Sequence, residues 1–310
     1  MHVFVTGGTG QTGPAVVAEL VAAGHTVTGL ARSDTTAALL KSLGAEPVRG
    51  SLDDLDVLRA GAEAADGVLH MAYGGDFSDP DAMMRRDVTA IETLGRPLEH
   101  TGKPLIMTSG TLVMPEGREF TEKDEPDPEG LASFRIAGER ACLDFAARGV
   151  RAIAMRLAPT VHGPKDRGFI PMLIATAREK GVSAYVGDGA NRWPAVHRLD
   201  AAALFRLALE QAPAGSVLHG VAETGVMFRD IAEVIGRRLG VPAVSLTPEE
   251  AATHYVSPFM AKVYAFDGPA SGRHTQELLG WSPVHPALLD DLEHGDYLAP
   301  ASAGRGSERP

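Results

Sequence analysis

Residues 3–20 read VFVTGGTGQTGPAVVAEL, a hydrophobic strand pattern, a glycine-rich turn and an amphipathic helix in unbroken succession. Few local patterns restrict a fold as strongly. Gly7, Gly10 and Gly13 fall where backbone must pass close to a pyrophosphate, and the N-terminus of the following helix then faces the anion. The succession predicts a dinucleotide-binding unit at the start of a parallel sheet, rather than an isolated tight turn.

The rest of the chain fits that start. Short runs rich in Val, Ile and Leu at 2–7, 26–32, 46–50, 67–72, 104–110, 151–157 and 216–221 read as strands. Between them lie helical patterns such as 13–24, 35–44 and 138–149, several closed by a glycine suited to the position after a helix end. This alternation predicts an α/β fold, a Rossmann-type doubly wound parallel sheet covered by helices. From about residue 164 the alternation loosens. Patterns at 168–181, 229–240, 248–266 and 272–281 predict a smaller C-terminal substrate-binding lobe that closes a cleft over the carboxyl ends of the strands. The expected division is a core over 1–163, rejoined by 195–222, a lobe from 164–194 and 223–297, and a disordered tail over 298–310.

Several partner classes are disfavoured. Against 40 Asp and Glu stand 29 Lys and Arg, a formal net charge of −11, which opposes sequence-independent nucleic-acid binding and points to small-molecule partners. No run of about eighteen apolar residues suits a bilayer, so no membrane partner is expected. The first apolar run, Val3 to Val5, ends in glycines and does not read as a signal peptide, so a cytoplasmic location is expected. The single cysteine, Cys142, reads as core packing, and the histidines show no metal-ligand spacing, so no metal is expected. Oligomeric state stays open, a homodimer included.

The end of the second strand discriminates between cofactors. NAD binders carry an Asp or Glu there for the ribose 2′-hydroxyl. This chain has Ala31-Arg32, and an arginine can stack on adenine and hold a 2′-phosphate through its planar fork. NADP is therefore favoured over NAD.

In their order and spacing, TGGTGQTG, RGSLDD, VLHMA and RLAPTVHGP resemble the extended or atypical short-chain dehydrogenase/reductase family, the group that includes NAD(P)-dependent epimerases and dehydratases. The resemblance covers nearly the whole chain. It implies that Gln11 and Thr12 cap the pyrophosphate, Ser51 and Leu52 border the adenine, and Met71, Ala72 and Tyr73 run along the ribose and pyrophosphate. Thr108 would follow toward the nicotinamide ribose, with Pro159 to Val161 beside the carboxamide.

The same resemblance exposes a substitution. The family supplies a tyrosine acid whose pKa is lowered by a lysine four residues later. Counting back from Glu139 in the pattern Tyr-x-x-x-Lys-x-x-x-Glu puts Arg135 at the lysine and Leu131 at the tyrosine. Leucine cannot give up a proton. Arg135 is left with an electrostatic or cofactor-holding role. The family's strand-end hydroxyl, three residues before Val113, falls on Gly110, so its neighbours Ser109 and Thr111 become the candidates. Replacement acids are Tyr73, directly after the fourth strand, and His162 after the sixth. Trp193 and His197 are expected near the substrate, with Asp200 as the cap of the helix that follows. Three functions fit: an NADP-dependent oxidoreductase of a small, hydrophobic carbonyl or secondary alcohol, a redox-neutral epimerase, dehydratase or cyclase, and an NADP(H)-sensing binding protein.

Overall fold

The computed structural model describes residues 1–74 and 79–298. Six strands come first: β1 (His2–Thr6), β2 (Thr26–Ala31), β3 (Glu46–Arg49), β4 (Gly67–His70), β5 (Pro104–Gly110) and β6 (Arg151–Leu157). The chain then forms β7 (Thr160–His162), β8 (Ser183–Val186) and β9 (Arg192–His197) before β10 (Ser216–Gly220) returns beside β6. Two more strands follow, β11 (Glu223–Met227) and β12 (Ala243–Leu246). The seven strands expected from the sequence form one parallel sheet in the order β3-β2-β1-β4-β5-β6-β10. Its order reverses between β1 and β4, and the crevice outside their carboxyl ends is where open α/β sheets bind ligands.

Both faces of the sheet are covered, which is why its strands are nearly continuous apolar runs. On one face the helices Gly13–Ala22 and Arg198–Gln211 bury Val16, Leu20, Leu204 and Phe205 against Val3, Val5 and Ile106. On the other, Leu58, Ile91, Leu94 and Cys142 pack with Phe4, Val68 and Leu105. Cys142 is fully buried, as core packing requires.

The small lobe has a core of its own, built around Trp193, Phe228, Tyr255 and Tyr264. Its sheet, β11-β9-β7, begins at Thr160, ahead of the expected boundary at 163, because Thr160–His162 pairs in parallel with β9. The pattern at 248–266 divides into helices Pro248–His254 and Pro258–Ala265, each starting at a proline that lacks the N–H to continue a preceding helix. Of the expected tail, Leu298 ends a short 3-10 turn, and 299–310 lie outside the described residues. Among the described residues no helix is long and apolar enough to cross a membrane.

One expected cap is corrected. The helix Arg198–Gln211 is capped by the His197 side chain, whose Nδ1 accepts the Leu199 N–H at 3.2 Å. Asp200 sits inside the first turn and accepts instead from the backbone N–H groups of Val284 and His285, at 3.0 and 3.1 Å.

Candidate active site

A cavity of about 400 Å³ opens at the carboxyl ends of β1, β4, β5 and β6. The glycine-rich loop forms its floor. Gly7 turns with φ at 73°, and a Cβ there would meet the Ala72 nitrogen at 2.5 Å, so the loop lies directly against the end of β4. A Cβ on Gly13 would reach the Gly7 carbonyl oxygen at 2.2 Å, so this glycine lets the helix start pack onto the turn. Gly10, Gln11 and Thr12 line the cavity between them, at the N-terminus of a helix with no acidic residue in its first turn. That end suits an anion.

Further along, Met71, Tyr73, Thr108, Pro159 and Val161 line the same cavity. Ala72 backs the glycine turn, its N–H donating to the Thr6 hydroxyl at 3.3 Å. Arg32 and Ser51 border a second concavity together with Arg49, which sequence reasoning missed. The register pairs Ala31 with Arg49, so two arginines emerge at neighbouring strand ends. Leu52 is buried behind them.

The catalytic candidates separate clearly. The α-helix begins only at Ile136, after a 3-10 turn over Ser133–Arg135, so Leu131 and Arg135 do not share a helical face. Leu131 packs against the lobe core, while Ala132, Phe134 and Arg135 form the cavity wall. Arg135 donates from Nη2 to the Thr108 carbonyl, and its guanidinium carbon lies 3.4 Å from the centroid of the Tyr73 ring. Phe134 stacks near that ring as well, with centroids 6.3 Å apart. Burial pulls the pKa of Arg135 down, opposed by the charges of Asp87, Tyr73 and Glu139. Burial raises the pKa of Tyr73, and Arg135 opposes that rise.

Ser109 joins Tyr73 and Arg135 on the wall, whereas Thr111 is buried at the start of a 3-10 turn and does not reach the cavity. His162 is also off the wall. It is buried, with Nδ1 2.9 Å from the Asp291 carboxylate and its ring 5.4 Å edge-on to His197. Trp193 is fully buried in the lobe core, donating to the Phe266 carbonyl at 3.1 Å, and Phe169 stands between it and the cavity. His197 stacks on His285 at 4.7 Å. Strand pairing explains both histidines: β7 and β9 place His162 opposite His197, with His162 on the Asp291 carboxylate and His197 near Asp200, and neither lines the cavity.

His197, Asp200 and His285 come within 4.8 Å of one another. Hydrogen bonds already occupy the Nδ1 atoms of both imidazoles and the Asp200 carboxylate. Burial first, then the neighbouring His162 and His285, lowers the His197 pKa to about 4. The unfolded chain takes up that proton near pH 6.5, so this group's stabilisation is complete above about pH 6.5 and is lost as pH falls toward 4. Thermal melts over this interval should show a shallower acid loss in His197→Asn than in the parent, and parallel curves would refute the assignment.

The cavity wall carries several buried polar atoms left without partners. The Tyr73 hydroxyl, Thr108 Oγ1, Ser109 Oγ and Arg135 Nε are buried without a hydrogen-bond partner among the described residues, and all four belong to the wall. A buried polar atom without a partner costs about 1–3 kcal/mol, so their convergence on one cavity marks a polar ligand position. Leu112, Val113, Phe134 and Phe169 supply an apolar rim.

The chain is similar to several known proteins. The sequence model of the NAD dependent epimerase/dehydratase family matches residues 3–219. An uncharacterized protein of Schizosaccharomyces pombe is 46% identical over 302 residues, covering 96% of this chain and 100% of that one. A 4-hydroxy-2-methyl-3-oxo-4-farnesyl-3,4-dihydroquinoline-1-oxide ketoreductase of Stigmatella aurantiaca is 28% identical, covering 78% and 75%. Among solved structures, the dTDP-glucose 4,6-dehydratase DesIV of Streptomyces venezuelae, with NAD and TYD bound, superposes with a TM-score of 0.77 at 19% identity, covering 94% and 95%. That last likeness is one of fold.

Proposed function

The chain belongs to the NAD dependent epimerase/dehydratase family, and from that premise we propose that it is an NADP-dependent oxidoreductase that reduces the carbonyl of a small apolar molecule, or oxidises the corresponding secondary alcohol. One observation carries the reading: a phenol, Tyr73, and a hydroxyl, Ser109, share the cavity wall, and a buried guanidinium lies against the face of the phenol ring.

Gly7, Gly10, Gln11, Thr12 and Gly13 would hold the pyrophosphate, with Met71, Thr108, Arg135, Pro159 and Val161 toward the nicotinamide end. The bound cofactor would supply the hydride that adds to the carbonyl carbon. Ser109 holds the substrate oxygen by hydrogen bonding, and Tyr73 gives that oxygen its proton. The phenolate left on Tyr73 is stabilised by the Arg135 cation against its ring. Arg135 stays charged throughout, because arginine remains protonated in proteins. The pair thus does the work of the family's tyrosine and lysine with side chains from two different elements.

Substrate class follows from the wall. Among the described cavity-lining residues Arg135 is the one cation, and it is engaged by Thr108 and Tyr73, so nothing there favours a second diphosphate. Leu112, Val113, Phe134 and Phe169 favour an apolar body. A ketoreductase acting on a farnesylated ring among the relatives is in keeping with this. Consumption of NADPH with a panel of apolar ketones tests the reading. Conversion of any substrate with NADPH left intact would replace it with a redox-neutral step, and tight NADPH binding without turnover would point to a sensor.

The preference for NADP rests on Arg32, exposed beside Arg49 and Ser51 at the adenine end. Arg32→Ala should weaken NADPH about tenfold while leaving NADH within about twofold, since a charge-assisted bond to a 2′-phosphate is lost only with the first. Equal losses for both cofactors, measured by fluorescence titration, would remove the basis for the preference.

A further inference from the structure

The glycine-rich loop is also held from the side away from the cavity. Arg167, on the segment between β7 and the helix Phe169–Lys180, donates from Nη2 to the Thr9 and Gly10 carbonyl oxygens at 3.0 and 2.9 Å. Arg198 donates from Nη2 to the Gln11 carbonyl at 2.8 Å, and from Nη1 to the Pro164 carbonyl. Three consecutive carbonyls of the loop therefore end on two guanidinium groups. Gln11 ties the two layers together. Its Oε1 accepts the Arg167 N–H at 2.7 Å, and its Nε2 donates to the Val161 carbonyl at 3.1 Å and to the Asp166 carboxylate. Asp166 is itself fixed by the Tyr297 hydroxyl at 2.6 Å and by the Gly168 N–H at 2.6 Å.

The peptide units involved have a second end. Each bonded carbonyl shares its amide with the N–H of the next residue, so the three N–H groups concerned belong to Gly10, Gln11 and Thr12. Gly10 spends its N–H inside the loop, on the Gly7 carbonyl at 2.9 Å. The other two lie at the helix N-terminus that lines the cavity. A cation on a carbonyl oxygen polarises its amide and strengthens the N–H as a donor, the cooperativity of a hydrogen-bonded chain. Arg167 and Arg198 thus place positive charge behind the pyrophosphate position without touching it.

We propose that Arg167 and Arg198 are cofactor-positioning residues that act through the loop backbone, sharpening the Gln11 and Thr12 amides toward a pyrophosphate. The proposal rests on the dinucleotide reading of the cavity. The loop these arginines brace is common to NADPH and NADH, so their effect is blind to the 2′-phosphate.

The test is cofactor titration of the full chain, followed by intrinsic and NADPH fluorescence, with Arg167→Met as the main variant because Arg167 is exposed and a thermal melt checks that the variant is folded. Both dissociation constants should rise about tenfold with their ratio unchanged, unlike the Arg32→Ala pattern. Turnover at saturating NADPH should stay within about twofold. Arg167→Lys should recover part of the loss, because one ammonium can serve one carbonyl but not the forked pair. Unchanged dissociation constants in a folded Arg167→Met, or a loss confined to NADPH, would overturn the proposal alone. A parent that binds neither dinucleotide would overturn the reading of the cavity and this proposal with it.

Discussion

Tyr73→Phe is expected to lower kcat for carbonyl reduction by about 10²–10⁴-fold, the contribution of a positioned general acid, while the NADPH dissociation constant stays within about twofold. The substitution removes one oxygen and keeps the ring that Arg135 and Phe134 pack against. The wall therefore keeps its shape. Burial holds the phenol above its ordinary pKa despite Arg135, so it stays protonated through neutral pH. The reduction rate of the parent should be level from about pH 7 to 9 and fall only as pH rises past about 10. An imidazole donor would instead lose its proton near neutrality. A Tyr73→Phe variant with near-parental kcat, or a parental profile falling from about pH 7, would move the acid to another group.

Arg156→Met should destabilise the fold by about 3–5 kcal/mol, the cost of leaving one partner of a buried ion pair alone. Arg156 on β6 and Glu139 are both almost fully buried, joined by bonds of 2.8, 3.1 and 3.2 Å. Arg156 also donates to the Asp124 carbonyl at 3.4 Å, which ties down the segment ahead of Arg135. Glu139 lies on the helix Ile136–Leu143 that directly follows Arg135, so the pair anchors the helix whose N-cap is the site's cation. Denaturant unfolding measures the loss. Replacing both partners, Arg156→Met with Glu139→Leu, should restore most of it, because no lone charge stays buried. A single-variant loss below about 1 kcal/mol would show that the pair is not held as described.

How much of this was legible in the chain depends on how local the cause was. The seven strands of the main sheet were readable because a parallel strand covered on both faces is an apolar run bounded by turns. The glycine loop was readable because sterics within a few residues dictate it, as the 2.2 Å approach of a Gly13 Cβ to Gly7 makes plain. Counting from Glu139 misled in one respect. Spacing assumes a continuous helix, and a 3-10 turn at Ser133–Arg135 breaks it, so Leu131 turns to the lobe while Phe134 and Arg135 meet the cavity. The histidines misled for a different reason: sequence marks a strand end but not which face its last side chain takes, and pairing of β7 with β9 turned His162 and His197 away from the cleft.

By itself, then, the sequence determined the doubly wound sheet, the glycine-rich loop at its first strand, and the absence of a tyrosine four residues before Arg135, all consequences of contacts between near neighbours. Tertiary structure alone decided that Tyr73 lies under the Arg135 guanidinium, that Trp193 belongs to the lobe core, and that Arg167 and Arg198 brace the glycine loop. Each of these joins elements far apart in the chain. Propensity and periodicity say nothing about such pairs, because what brings them together is the packing of whole layers and not any property of the residues in between.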